Sequence, residues 1–241
     1  MCTNTLNCME TRSQVLWNPL LSDEHQDALK PEAHAVSYPT GTKLMKADEH
    51  SDYVIYLRSG LVMSCRWEQQ PDGQERRTIF GLHGPGTLIG ELAPLTGEPR
   101  SADLVSLRPV EVLHIPGDVF LRFLLSNPRV HLEVTRRLAK RVRELGEVQE
   151  ESFLSSERRL ARALLRIVES GIGVEGEQGL VIAGFTQNDL ADLARLSRES
   201  VSAVMQQFKA RSYIATGRAR FTICDTAAIE ALAMRRDRSL I

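Results

Sequence analysis

The chain has 241 residues, 42% of them hydrophobic and 25% charged, with a formal net charge of -1, which is ordinary for a globular protein with room for two modest domains. No apolar run approaches the length of a bilayer span, and the opening Met1 to Glu10 lacks the basic start and apolar stretch of a signal peptide, so a cytoplasmic protein with no membrane partner is expected. Cys2, Cys8, Cys65 and Cys224 form no Cys-x-x-Cys pair, which argues against a disulfide framework and against a zinc site.

In chain order, residues 1–18 read as a polar entry segment. Residues 19–126 carry short apolar runs at Tyr53–Leu57, Leu61–Met63, Arg77–Phe80, Thr87–Ile89, Ala102–Val105 and Val110–Ile115. Ser59-Gly60, Pro71-Asp72-Gly73, His83-Gly84-Pro85-Gly86 and Thr96-Gly97-Glu98-Pro99 punctuate them. Such spacing predicts a small β-roll of jelly-roll type. Over 127–155 Gly and Pro nearly vanish, and Val134, Leu138, Val142, Leu145 and Val148 form a narrow apolar seam on a long, heavily charged helix. Such a seam could pack on the chain's own core, but a stripe this narrow favours pairing with a second copy in a homodimer. Phe153 to Ser156 interrupts the helix as a hinge, with Ser155 or Ser156 placed to cap the next helix.

Residues 156–241 open with an amphipathic helix from Glu157 to Ser170, then a loop with a strand at Leu180–Ile182. Within Thr186–Lys209, apolar residues recur at Leu190, Leu193 and Ala194, break at Arg195-Leu196-Ser197, and resume at Val201, Val204, Met205 and Phe208. Two short helices therefore meet at a corner, the second N-capped by Ser197. Its first turn presents Arg198, Glu199 and Ser202, and Arg suits guanine while Glu suits cytosine in the major groove. Arg195, Arg198, Lys209, Arg211, Arg218 and Arg220 face only Glu199 between 195 and 220, a basic patch suited to phosphates. Tyr213–Thr216 and Arg220–Ile223 predict a two-stranded wing with Arg218 at its tip, and Asp225 the cap of a final helix. The fold class expected is α+β: a β-roll, a long dimerisation helix and a winged helix-turn-helix.

A second site is suggested by Gly90-Glu91-Leu92 and Arg100-Ser101-Ala102, flanking one loop. The Arg and Ser can hold a phosphate while Glu accepts from a sugar hydroxyl. The same Glu and Arg could instead simply pair with each other at the surface.

These parts in this order resemble the bacterial cyclic-AMP receptor protein and fumarate-nitrate regulator superfamily, from about Leu16 to the end. The resemblance implies a homodimeric transcription regulator, allosterically governed by cyclic AMP or another cyclic nucleotide. It binds double-stranded DNA at palindromic TGTGA-like half-sites, acts as an activator and engages RNA polymerase. It places the ribose contact on Glu91 and the cyclic phosphate on Arg100 and Ser101, with Gly90, Leu92 and Ala102 completing the two motifs and Arg141 supporting them from the long helix. Two adjacent hydroxyl residues that read adenine in the family fall here on Leu145 and Gly146, and a register shift of one residue brings in Glu144. On the DNA side it implies Arg198 and Glu199 as base readers. Thr186, Gln187, Ser197, Ser200, Ser202, Ala203 and Arg218 complete the interface. Ala203 stands where a third reader, Arg, is usual, and Arg195 where Gly is usual at the corner.

Other effectors (cyclic GMP, a cyclic dinucleotide or a redox signal), or none, would suit the same fold. An iron-sulfur cluster is disfavoured because the tail offers only Cys2 and Cys8 and Val110–His114 has no Cys. His83 and His114 are haem candidates by type alone, and no metal is expected. With no His-x-His and no nucleophile with a matched base, an enzyme is not expected.

Overall fold

The computed structural model describes residues 19–69, 75–151, 154–217 and 220–234, with the side chains of 76 and 144–151 left aside. Helix α1 (Asp23–Leu29) leads into strands β1 (His34–Tyr38), β2 (Lys43–Met45), β3 (Tyr53–Ser59), β4 (Val62–Gln69), β5 (Glu75–His83) and β6 (Leu88–Ile89). After α2 (Leu92–Thr96) come β7 (Asp103–Ser106), β8 (Val110–Pro116), α3 (Gly117–Ser126) and the long α4 (Pro128–Glu151). The second half holds α5 (Ser156–Glu169), β9 (Val174–Gly176), β10 (Gly179–Ala183), α6 (Gln187–Ala194), α7 (Arg198–Ala210), β11 (Ile214–Gly217), β12 (Arg220–Ile223) and α8 (Thr226–Met234).

Two antiparallel sheets, β1-β8-β3-β6 and β2-β7-β4-β5, face each other as the roll. Residue parity explains why their strands read as continuous apolar runs rather than alternating ones. On β3, Ile55 and Leu57 point into the roll with Val62, Leu104 and Val112, while Val54 and Tyr56 point outward beneath α1, α3 and α4. Both faces of β3 are therefore buried, at about 1.5–3 kcal/mol for each fully buried large apolar side chain. The sheet β2-β7-β4-β5 is used in the same way: Met63, Cys65 and Ile79 leave the roll and join one hydrophobic cluster with Leu160, Leu164, Leu190 and Phe208 of the second half. The β3–β4 turn needs Gly60, whose φ is 88° and whose missing Cβ would lie 2.1 Å from the Pro109 carbonyl oxygen.

The long helix uses the predicted seam differently from its forecast. Val134 and Leu138 pack on the roll's outer cluster with Val130, so the first half of the seam belongs to the chain's own core. Val142 is 69% exposed and Leu132 50% exposed; with Thr135 and Ala139 they line the opposite face of α4 at helical spacing. Leu145, Val148 and Phe153 lie outside the described side chains. Helix α5 begins after Ser155, which makes no side-chain cap hydrogen bond.

Helices α1 and α3 and strands β1 and β2 are additions to the sequence reading. Among the described residues no helix is long and apolar enough to cross a membrane.

Candidate effector pocket and nucleic-acid interface

Glu91 follows β6 and is buried, 4% exposed, at the N-terminal end of α2. It does not pair with Arg100. Its Oε1 accepts from Nη1 of Arg141 on α4 at 2.9 Å, joining the roll to the long helix. A buried carboxylate needs such a partner, since an unpaired one would carry a large desolvation cost.

Arg100 is also buried, 3% exposed, and is held from three sides. It donates through Nε to Ser51 Oγ at 2.6 Å, through Nη1 to the Gly90 carbonyl at 2.7 Å and through Nη2 to the Tyr53 carbonyl at 2.5 Å. Its guanidinium lies over the Tyr53 ring, 4.8 Å from the centroid, and burial lowers its pKa from the usual value. A guanidinium has five N–H groups, so two remain for a ligand. Gly90 makes this packing possible: its φ is 85°, and a Cβ there would sit 2.8 Å from Arg100 Nη1. Ser101 is exposed, and Leu92 and Ala102 are half-buried. Glu144 and Leu145 lie on α4, but their side chains fall outside the described residues.

Two residues join this region that sequence reading did not assign to it. Ser64 Oγ and His83 Nε2 are 2.9 Å apart. His83 is buried, and burial followed by the nearby Arg141 charge pushes its imidazole down to about 3, so the ring is neutral at ordinary pH. His114, the other haem candidate, bonds Tyr38 through Nε2 at 2.9 Å and stacks on Tyr53. Among the described residues no cluster of His, Cys, Asp and Glu could hold a metal ion.

At the other end of the chain, α6 and α7 form a helix-turn-helix. Thr186 caps α6 through a capping box with Asp189, accepting from the Asp189 amide at 3.1 Å while its own amide donates to Asp189 Oδ2 at 2.7 Å. Arg195 closes α6 in the left-handed region at φ 54°, which lets the chain turn sharply into α7. On α5, Arg159 and Arg166 donate to the carbonyls of Ala194, Arg195 and Leu193, complementing the negative end of α6. Ser197 caps α7 by accepting from the Ser200 amide at 3.1 Å and donates to the Ser200 hydroxyl at 3.0 Å. Ser197 and Ser200 are thus occupied in building the helix start.

Arg198, Glu199 and Ala203 are exposed on α7, and Ser202 is half-buried. A hydrogen bond from its own amide, then Ser197, holds the Glu199 carboxyl below its usual range, keeping it an acceptor. Gln206 extends the same exposed face by one turn, an extension legible in its four-residue spacing from Ser202. Gln187 is exposed at the start of α6. Strands β11 and β12 form the wing, while Arg218, the residue expected at its tip, lies outside the described residues.

The chain matches the family model described as "Cyclic nucleotide-binding domain" over residues 35–127 and that described as "Crp-like helix-turn-helix domain" over 158–232. It belongs to the CRP/FNR family of transcription regulators. A family member of Mycobacterium tuberculosis, the "CRP-like cAMP-activated global transcriptional regulator", is 26% identical over 188 residues, 78% of this chain and 82% of that protein. The "Cyclic AMP receptor protein" of Thermus thermophilus is 29% identical over 197 residues, 81% of this chain and 86% of its own. A CRP-family transcriptional regulator, also from Thermus thermophilus, superposes with a TM-score of 0.68 at 23% identity, covering 82% of this chain and 96% of the other, a likeness of fold. The chain is therefore a DNA-binding transcription regulator carrying a cyclic nucleotide-binding domain, and not an enzyme.

Proposed function

We propose that this regulator works as a homodimer governed by a cyclic nucleotide, cyclic AMP foremost, held between Gly90–Leu92, Arg100–Ala102 and α4. The observation that carries this reading is the Arg141–Glu91 bond, because it puts the expected sugar-binding carboxylate in direct contact with the long helix. A ribose hydroxyl arriving at Glu91 competes for the same carboxylate, so binding is felt on α4. Arg100 meets the cyclic phosphate with its two remaining N–H groups, aided by the exposed Ser101 hydroxyl.

The exposed face of α4 through Leu132, Thr135, Ala139 and Val142 meets its counterpart in the second subunit. Repacking along it carries the signal to the hinge before Ser156, setting the two Arg198-bearing helices about one DNA turn apart on a palindrome with TGTGA-like half-sites. Contact with RNA polymerase and action in the cytoplasm belong to the same reading.

Calorimetric titration of cyclic AMP, with cyclic GMP and a cyclic dinucleotide as comparators, tests it. Binding is expected to weaken more than about tenfold in Arg100→Ala, as for loss of a buried charge-assisted contact. Because Arg100 also braces the Gly90 and Tyr53 carbonyls, Ser101→Ala is the accompanying variant, with a smaller loss expected. Unchanged affinity in both would remove this pocket from the account.

A further inference from the structure

The inner face of β4 and β5 carries a polar pair among apolar neighbours. Antiparallel pairing sets Leu104 of β7 beside Ser64 of β4, and Ser64 beside Gly81 of β5. Directly paired residues share a face, and Leu104 and Val62 both belong to the interior cluster. Val62 is paired with His83, so Ser64, Gly81 and His83 all project inward.

A serine and an imidazole thus lie on the inner face of the roll, the face whose core cluster includes Leu44, Ile55, Leu57 and Ile89. The bare Cα of Gly81 lies beside them: a Cβ there would stand 3.4 Å from the His83 ring and 3.5 Å from Ser64 Oγ. Arg141, already bonded to Glu91, is near enough for its charge to act on His83. The roll's interior cluster also includes Ile89, two residues before Glu91 of the proposed sugar site. Burying the polar pair costs stability unless both groups keep partners.

We propose that Ser64 and His83 are the specificity-determining pair that holds the base edge of a bound 6-aminopurine cyclic nucleotide. The assignment rests on the cyclic-nucleotide reading above and supplies what Leu145 and Gly146 of α4 cannot, a polar contact to the base. In the tautomer whose Nε2 accepts from Ser64, the serine oxygen turns its lone pairs to the exocyclic amine. A guanine carbonyl at that place would meet an acceptor instead.

The test is calorimetric titration of cyclic AMP, cyclic GMP and a base-free cyclic ribose phosphate into the full chain, its Ser64→Ala form and its His83→Gln form. The wild-type chain is expected to prefer cyclic AMP. Each variant should lose about fivefold or more of that preference, the worth of one hydrogen bond, with binding of the base-free probe unchanged. Ser64→Ala removes a single oxygen, so it answers even if His83→Gln misfolds. A wild type without preference, or variants that keep it, would overturn the assignment alone. A wild type that binds none of the three ligands would overturn the cyclic-nucleotide reading and the assignment with it.

Discussion

His83 links the chemistry of single residues to a measurable pH dependence. Its folded pKa lies at about 3 against an ordinary 6.5, with burial the main cause and the Arg141 charge the second. The unfolded chain therefore holds the extra proton between those values. The resulting stability is complete above about pH 6.5 and drains as pH falls toward 3, at up to about 1.4 kcal/mol per pH unit. Urea unfolding of the wild-type and His83→Gln chains at pH 7 and pH 5 should show the wild type losing about 2 kcal/mol more than the variant. A gap that stays constant with pH would mean that His83 titrates normally. On the DNA side, Arg198→Ala should abolish preference for the palindrome in a competition assay while salt-sensitive nonspecific binding persists. Retained preference would remove Arg198 as a base reader.

At the scale of elements, the clearest unforeseen contact joins the two halves. Arg77 on β5 donates through Nε to Asp192 at 2.8 Å and through Nη2 to Asp189 at 2.6 Å, both on α6, and lies over the Trp67 ring. The three charged groups are 13%, 15% and 24% exposed, so solvent screens them only in part. A double-mutant cycle with Arg77→Ala and Asp189→Asn should return a coupling of about 1–2 kcal/mol in thermal or urea unfolding. A coupling near zero would make the triad incidental.

How much was legible in the sequence also sorts by element. The helix-turn-helix was readable because Leu190, Leu193, Val201, Val204, Met205 and Phe208 alternate with polar positions at helical spacing, and all are buried. Strands β3 to β8 of the roll were readable from their Gly and Pro punctuation, whereas β1 and β2 were not. Helix α3 was not, because Val119–Leu125 is a short apolar run that a strand could equally use. The α4 seam misled for a related reason: Val134 and Leu138 have the spacing of a dimer stripe, yet the roll lies on that side of the helix and covers them. Glu91, Arg100 and Arg141 could be named from the family resemblance. The partners of Arg100 could not, since Ser51 and the Tyr53 carbonyl lie some fifty residues upstream and meet it only through tertiary packing. The Ser64–His83 pair likewise depends on β4–β5 register.

For the whole molecule, the proposed mechanism couples a ligand pocket to a DNA reader through α4, the hinge and the Arg77 contact. Such coupling is reciprocal: whatever factor the nucleotide adds to DNA affinity, DNA must add to nucleotide affinity. A ligand that bound both arrangements equally would shift nothing. The most direct measurement is fluorescence anisotropy of a labelled palindromic duplex with TGTGA-like half-sites, titrated with the full chain with and without saturating cyclic AMP. Binding at least about tenfold tighter with the nucleotide is expected, a coupling of about 1.4 kcal/mol. Equal affinity with and without the nucleotide would contradict it.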